Sequence, residues 1–244
     1  MTEVDLDRLA TSYAHRPPSE DSLRRAEQAG RRLPPEARVL DVGGGPGNHS
    51  AVWQRQGHAP IVLDPSAGMA ETARTRGIAV VRGRSQAMPF RSGTFDLVWF
   101  HLSIHYGDWR RSIDEAVRVV AGNGRIDVWT LGPDHHEQSL LAEWFPSIAE
   151  IDGQRFPVPE MIASYLDAEG ATVSVTHPVE VVTRKAGSWI AAVEAGFVST
   201  LQLLPDDERR RGIEAAKRRY PNRDEEIGYE LRFTRITADR SPSA

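Results

Sequence analysis

Between residues 38 and 130 short apolar runs alternate with amphipathic stretches, and this alternation restricts the fold more than any other feature of the chain. Segments 38–42, 60–63, 78–82, 95–100 and 124–130 have the lengths of strands and are mostly apolar, as strands are when both faces of their sheet are covered. Parallel neighbours need a crossover between them, so helices are expected in the gaps, on both faces of one sheet. After Asp108, Ile113, Ala116, Val117 and Val120 recur at helical spacing, and Gly122-Asn-Gly124 supplies a stop. The pattern predicts an α/β protein.

The flanks are less regular. Ser19 or Ser22 can cap a helix running toward Arg32, ended by Pro34-Pro35. Residues 133–157, rich in His, Pro and aromatic side chains, read as an extended loop, followed by a helix with Met161, Ile162, Tyr165 and Leu166 on one face that ends at Gly170. Val173 and Val175 mark a sixth strand; Tyr229, Leu231 and Phe233 mark a seventh. Between them Ile190, Val193, Phe197, Leu201 and Leu204 are spaced for one helix, and Pro205 opens another whose Arg209-Arg-Arg211 run reads as a solvated face.

Glycines 43, 44, 45 and 47 lie between the first strand and the next helix, where the backbone must turn tightly and expose amide groups to a ligand. Asp64, at the end of the second strand and roughly 20 residues on, is placed to accept bonds from both hydroxyls of a ribose. Dinucleotide loops read G-x-G-x-x-G, and the last glycine position here is Asn48. The loop instead reads D-x-G-x-G-x-G with Pro46 inside it. Asp41 would repel a pyrophosphate and suits a cationic amino-acid end. An NAD(P)-dependent oxidoreductase is therefore disfavoured, and a non-catalytic cofactor-binding domain stays open as an alternative.

Composition narrows the partners. Acidic residues number 34 against 30 basic ones, for a net charge of −4, with the signs mixed along the chain. Small molecules are expected rather than nucleic acid or a membrane. The absence of cysteine removes thiolate metal sites and thiol nucleophiles, and no metal site is expected. Thr2-Glu3-Val4-Asp5 begins neither a basic region nor an apolar run, which points to a cytoplasmic location. Nothing in the sequence speaks to oligomeric state.

Five motifs in order resemble those of the class I S-adenosylmethionine-dependent methyltransferases. They are Leu40-Asp-Val-Gly-Gly-Gly-Pro-Gly-Asn48, Val62-Leu-Asp-Pro-Ser66, Gly83-Arg-Ser-Gln-Ala-Met-Pro-Phe90, Phe95-Asp-Leu-Val98 and Ala121-Gly-Asn-Gly-Arg125. The resemblance implies S-adenosyl-L-methionine as cofactor and transfer of its methyl group to O, N or C of a small molecule. It implies that Asp41, Gly43, Gly45 and Gly47 surround the methionine part and that Asp64 binds ribose, with Pro65 and Met69 beside it. Arg84-Ser85 would border the adenine, although the family commonly has an acidic residue where Arg84 stands. The implied fold is a Rossmann-like, mostly parallel sheet of seven strands with an antiparallel last strand, helices on both faces and a helical cap. As domains this gives one methyltransferase domain over 1–240: a helical leader and cap at 1–37, a cofactor-binding half at 38–132, and an acceptor-side half at 133–240 with a helical insertion at 184–223. Residues 241–244 form a tail. A narrower likeness, to the small-molecule group that includes trans-aconitate methyltransferase, rests on the layout and on Tyr13 and Arg16, placed near the ligand's carboxylate end.

In open α/β sheets ligands lie beyond the carboxyl ends of the strands. His101, His105 and Tyr106 follow the fourth strand, and Trp129, Asp134, His135 and His136 follow the fifth. His101, His105 and His135 are the candidates for proton removal from an acceptor, and His101 is also a candidate for packing beside the cofactor. A carboxylate acceptor needs no base. His135 and His136 would point apart in an extended segment, and Trp144-Phe145 could line an apolar acceptor pocket. His15, His49, His58 and His177 stand in turn or surface contexts.

Overall fold

The computed structural model describes residues 4–7 and 18–240. The chain forms two compact units that interleave in sequence. The sheet unit takes in residues 18–130, 157–177 and 234–240; the helical unit takes in 4–7, 131–156 and 178–233.

The sheet unit is built on β1 (Arg38–Val42), β2 (Ala59–Asp64), β3 (Ala79–Arg82), β4 (Phe95–His101), β5 (Val120–Leu131), β6 (Thr172–Thr176) and the second part of β8 (Glu226–Asp239). Their order is β3-β2-β1-β4-β5-β8-β6. β1 pairs in parallel with both β2 and β4, as do β2 with β3 and β4 with β5; β6 is antiparallel to β8. The mostly parallel sheet with an antiparallel last strand is thus present. Because side chains alternate along a strand, Leu40, Val42, Val98, Phe100, Ile126 and Val128 share one face. They are buried with Ile113, Ala116 and Val119 of α4 (Trp109–Val119) and Ile162 and Leu166 of α8 (Pro159–Ala168).

The opposite face is built differently. Asp41 pairs in register with Trp99, Trp99 with Asp127, and His101 with Trp129, so this face carries rows of polar and aromatic side chains. Two helices bear on it: α1 (Glu20–Gly30) and α2 (Asn48–Arg55). Ser19 caps α1 by accepting from the Ser22 amide, with Glu20 and Asp21 in the first turn where the helix dipole favours negative charge. The buried stripe of α1 is Ser22, Ala26, Ala29 and Gly30, small enough for α2 to approach closely. There the Trp53 indole donates to the Ala26 carbonyl at 2.7 Å and Gln56 donates to that of Glu27 at 3.0 Å.

Two expectations for this unit need correction. Helix α4, capped by Asp108, stops at Val119 and β5 begins at Val120, so Gly122-Asn-Gly124 lies inside a strand. The glycine there serves a bulge: the β4–β5 register shifts between Phe95 and Leu97, and a Cβ on Gly124 would lie 2.9 Å from the Phe95 carbonyl oxygen. On α8, Met161 does not share the buried face; it is 45% exposed while Ile162 and Leu166 are buried.

In the helical unit, residues 133–155 are not extended but fold into α5 (Pro133–Gln138), α6 (Leu140–Trp144) and α7 (Ser147–Arg155). Pro133 at the first turn and Ser139, which accepts from the Ala142 amide, start two of them. The stretch read as one helix is α9 (Ala186–Glu194), then Gly196 in the left-handed region (φ 70°), then a 3-10 turn at Ser199–Gln202. Its apolar residues still share one core, in which Phe145, Ile148, Trp189, Val193 and Leu201 are buried, so Phe145 is core rather than a pocket wall. α10 (Asp206–Arg219) has acids in its first turn and bases in its last, as the dipole favours. An eighth strand, β7 (Val179–Lys185), pairs antiparallel with the first part of β8. Val179 and Val181 on it are 51% and 69% exposed, which explains why no apolar alternation announced it. Among the described residues no helix is long and apolar enough to cross a membrane.

Candidate functional site

The loop after β1 takes its shape from three glycines with positive φ: Gly43 (66°), Gly45 (54°) and Gly47 (75°), conformations that a side chain disfavours. Space is short as well. A Cβ on Gly43 would lie 2.5 Å from that of Ser103, whose hydroxyl donates to the Val42 carbonyl at 2.5 Å. Gly47 ends the loop and caps α2, leaving the helix amino terminus facing it.

Two carboxylates organise the loop. Asp64 is buried at the end of β2; it accepts from the Gly45 amide at 3.0 Å through Oδ2 and from the Ser66 amide at 2.9 Å through Oδ1. Ser66 in turn caps α3 (Ala67–Thr75), accepting from Met69. Asp41 is placed otherwise than as a charge offered at the strand end. Its carboxylate lies under Gly44, where a Cβ would come within 2.5 Å of it, and accepts from the Ser50 hydroxyl at 2.8 Å. Burial, with Asp64 adding repulsion, raises its pKa to about 7 against the lowering bond from Ser50.

The remaining residues expected at the cofactor are distributed around this loop. Pro65 follows Asp64 and accepts from Arg82 at its carbonyl; Met69 is buried, 3.6 Å from where a Gly45 Cβ would be. Gly83 donates to the Asp64 carbonyl at 3.3 Å and leads to an exposed Arg84 and to Ser85, which shares a hydrogen bond with Ser112 at 2.8 Å. Tyr13 and Arg16 lie outside the described residues.

His101 ends β4, and its Nε2 lies 3.2 Å from Nη1 of Arg25 on α1. The guanidinium can only donate, so Nε2 accepts and is not available as a base while that contact lasts. Its ring lies parallel to that of Trp99, with centroids 6.2 Å apart. His105 is buried against the Tyr106 ring, at 4.1 Å between centroids, in a loop shaped by Leu102 at φ 54°. In the helical unit His135 is on α5, not in an extended segment, and its Nδ1 accepts from the Arg232 amide at 3.2 Å. Its neighbour His136 stands 3.9 Å from Asp152, which with Arg155, Thr200 and Ser199 forms a buried hydrogen-bonded cluster. Desolvation lowers both pKa values to about 4. Among the described residues no group of three or more His, Asp or Glu could hold a metal ion.

The sequence reading missed His49 and Arg25. His49 is buried on the first turn of α2, not in a surface context. The Trp99 indole donates to its Nδ1 at 3.2 Å, which places the proton on Nε2, and Nε2 donates to the Ser22 hydroxyl at 2.7 Å. Burial first, and Arg25 second, lower its pKa to about 4. The signal lay in the spacing: 49, 52 and 53 form one buried stripe, and half-buried Arg25 lies one turn from Ser22 and Ala29, beside the buried stripe of α1. His49→Phe keeps a ring but strands the Trp99 indole donor and removes the donor to the Ser22 hydroxyl. It is expected to cost about 1–3 kcal/mol in urea unfolding, with His49→Gln intermediate; equal stability of the Phe variant would refute the bridge.

Residues 40–127 match the family model described as a methyltransferase domain. The malonyl-[acyl-carrier protein] O-methyltransferase of Enterobacter lignolyticus is 33% identical over 144 residues, covering 55% of this chain and 57% of that protein, so the chain spans little more than half of that relative. Among solved structures, YcgJ of Bacillus subtilis superposes with a TM-score of 0.65 at 18% identity, over 92% of this chain and all of that one. Geranyl diphosphate C-methyltransferase of Streptomyces coelicolor A3(2), solved with Mg2+, geranyl diphosphate and S-adenosyl-L-homocysteine, superposes with a TM-score of 0.56 at 16% identity, over 90% of this chain and 78% of that one.

Proposed function

We propose that this chain, residues 40–127 of which match a methyltransferase domain, transfers the methyl group of S-adenosyl-L-methionine to a small molecule. The observation that carries this reading is the Asp64 carboxylate holding the Gly45 amide beside a loop whose three glycines take positive φ, a conformation side chains disfavour. Such a loop lets a ligand meet backbone, and Asp64 stands at the end of the second strand, where a carboxylate accepts from ribose hydroxyls. The buried Asp41 and the amino terminus of α2 complement the amino and carboxylate groups of a methionine end. S-adenosylmethionine brings an electrophilic methyl group on a sulfonium; the protein's own task is to hold the acceptor close and in line with it.

Asp41, Gly43, Gly45, Gly47, Asp64, Pro65, Met69, Arg84 and Ser85 are assigned to the cofactor on this reading, and His101 to the acceptor end. The malonyl thioester on which the Enterobacter relative's name is based is the first acceptor to try. Isothermal calorimetry on the intact protein should show binding of S-adenosylmethionine and of S-adenosylhomocysteine. Release of S-adenosylhomocysteine with an acceptor panel would follow. A folded protein that binds neither would end this reading; one that binds both and turns over nothing would favour a non-catalytic cofactor domain.

A further inference from the structure

We infer that strand β7 of the helical unit is the surface through which two copies of this chain associate, their β7 strands pairing antiparallel about a two-fold axis at Val182. Such pairing is independent of the methyl-transfer reading. β7 (Val179–Lys185) is bonded to β8 along one side and, among the described residues, pairs with no second strand. An edge of this kind presents N–H and C=O groups that a further strand can meet. Its register with β8 runs without a bulge, and Val181-Val182-Thr183 at its centre carries neither the charge nor the proline that commonly blunts an edge.

The ladder fixes which residues turn outward. The Phe233 amide donates to the Pro178 carbonyl at 2.9 Å, and the Ala186 amide donates to that of Glu225 at 2.8 Å. Antiparallel bonding alternates, so between these two points the even-numbered residues of β7 bond to β8 and the odd-numbered ones direct their amides and carbonyls away from it. The outward residues are Val179, Val181, Thr183 and Lys185, and the side chains of all four are exposed. Val179 and Val181 are thus large apolar side chains left open beside an open edge.

Charge along the strand selects the partner. Val-Glu-Val-Val-Thr-Arg-Lys has its acid near the start and its bases at the end, so an antiparallel copy of itself brings unlike charges together. Outward residues must meet outward residues, which allows two-fold registers centred on Val181, Val182 or Thr183. Centred on Val182, all seven residues overlap, Glu180 lies opposite the second copy's Arg184, and Val181 lies opposite its Thr183. Moving the centre by one residue shortens the ladder and sets Glu180 opposite Val182 or Ala186. Opposite charges facing each other across strands favour the first register. A two-fold contact is self-complementary and closes at two copies, which covers both edges at once.

The test is sedimentation equilibrium of the full chain, which should be dimeric at about 100 µM. Val181→Lys brings a charge beside Lys185 of the second copy and should raise the dissociation constant of the dimer about tenfold or more. Val181→Pro removes an outward amide without touching the ladder to β8 and should act in the same direction. The chain has no cysteine, so a single introduced one reports the register. Val182 faces itself across the axis as a non-hydrogen-bonded pair with Cα atoms about 4.5 Å apart, inside the span of a disulfide, whereas two copies of residue 181 sit diagonally and beyond it. Under mild oxidation Val182→Cys should therefore form a linked dimer about tenfold or more faster than Val181→Cys. A parent that is monomeric at that concentration overturns the assignment, as does a dimer that Val181→Lys leaves unweakened or one in which Val182→Cys links no faster than Val181→Cys.

Discussion

Asp64→Ala is expected to lower affinity for S-adenosylmethionine by about 100-fold or more, close to 3 kcal/mol, in calorimetry at neutral pH. Two losses add. The ribose hydroxyls lose their charged acceptor, and hydrogen bonds to a charged group contribute about 1.5–3 kcal/mol. The loop also loses its brace, because the amides of Gly45 and Ser66 both donate to that carboxylate. Ser66 is the cap of α3, so one truncation disturbs the glycine loop and the next helix together. Asp64→Asn separates the two contributions. Its carbonyl oxygen can still accept from one amide, whereas its NH2 group meets the other donor and cannot serve both hydroxyls. The Asn variant, which keeps one of the two backbone bonds, should unfold at a midpoint below the parent's and still bind about tenfold more weakly. An Ala variant that binds within about threefold of the parent would remove Asp64 from the cofactor site.

How far such a site could be read from sequence depends on what kind of contact builds it. The sheet was legible because strands covered on both faces are mostly apolar, and Leu40, Val98 and Ile126 sit in such runs. The loop was legible because glycine takes the positive φ at 43, 45 and 47 without the strain a side chain adds. β7 was not, since an antiparallel strand with Val179 and Val181 exposed needs no periodic apolar face. Nor was the break after Glu194: a core can collect Ile190, Val193 and Leu201 from a helix and a separate 3-10 turn as readily as from one helix. His49 and Arg25 were hidden for a further reason. A polar residue on a buried stripe is explained only by its partners, and Ser22 and Trp99 lie 27 and 50 positions from His49. Asp41 shows the limit in the other direction. Its position at the strand end was read correctly, but which way the carboxylate turns was decided by Ser50 and by the missing Cβ of Gly44.

That orientation makes Asp41 the pH-sensitive element of the loop. A carboxyl whose pKa rises from 3.8 in the unfolded chain to about 7 in the fold favours folding most fully while protonated. Its contribution is complete below pH 3.8, declines as the unfolded chain ionises and the fold does not, and is lost once pH has passed about 7. At 1.36 kcal/mol per pKa unit the full span is worth about 4 kcal/mol. Asparagine resembles the protonated acid, can still accept from Ser50, and cannot ionise. Asp41→Asn should therefore gain on the parent by about 2–3 kcal/mol between pH 5 and pH 8 in urea unfolding, a difference that cancels the other titrating groups. The same buried charge governs the ligand. A cationic amino-acid end placed near Asp41 stabilises its ionised form, so cofactor binding near pH 6.5 should release a proton. Calorimetry in two buffers of different ionisation enthalpy measures that proton, and the Asn variant should lack it while binding more weakly. Parallel stability profiles for parent and variant, together with equal proton release, would show that Asp41 is already ionised beneath the loop.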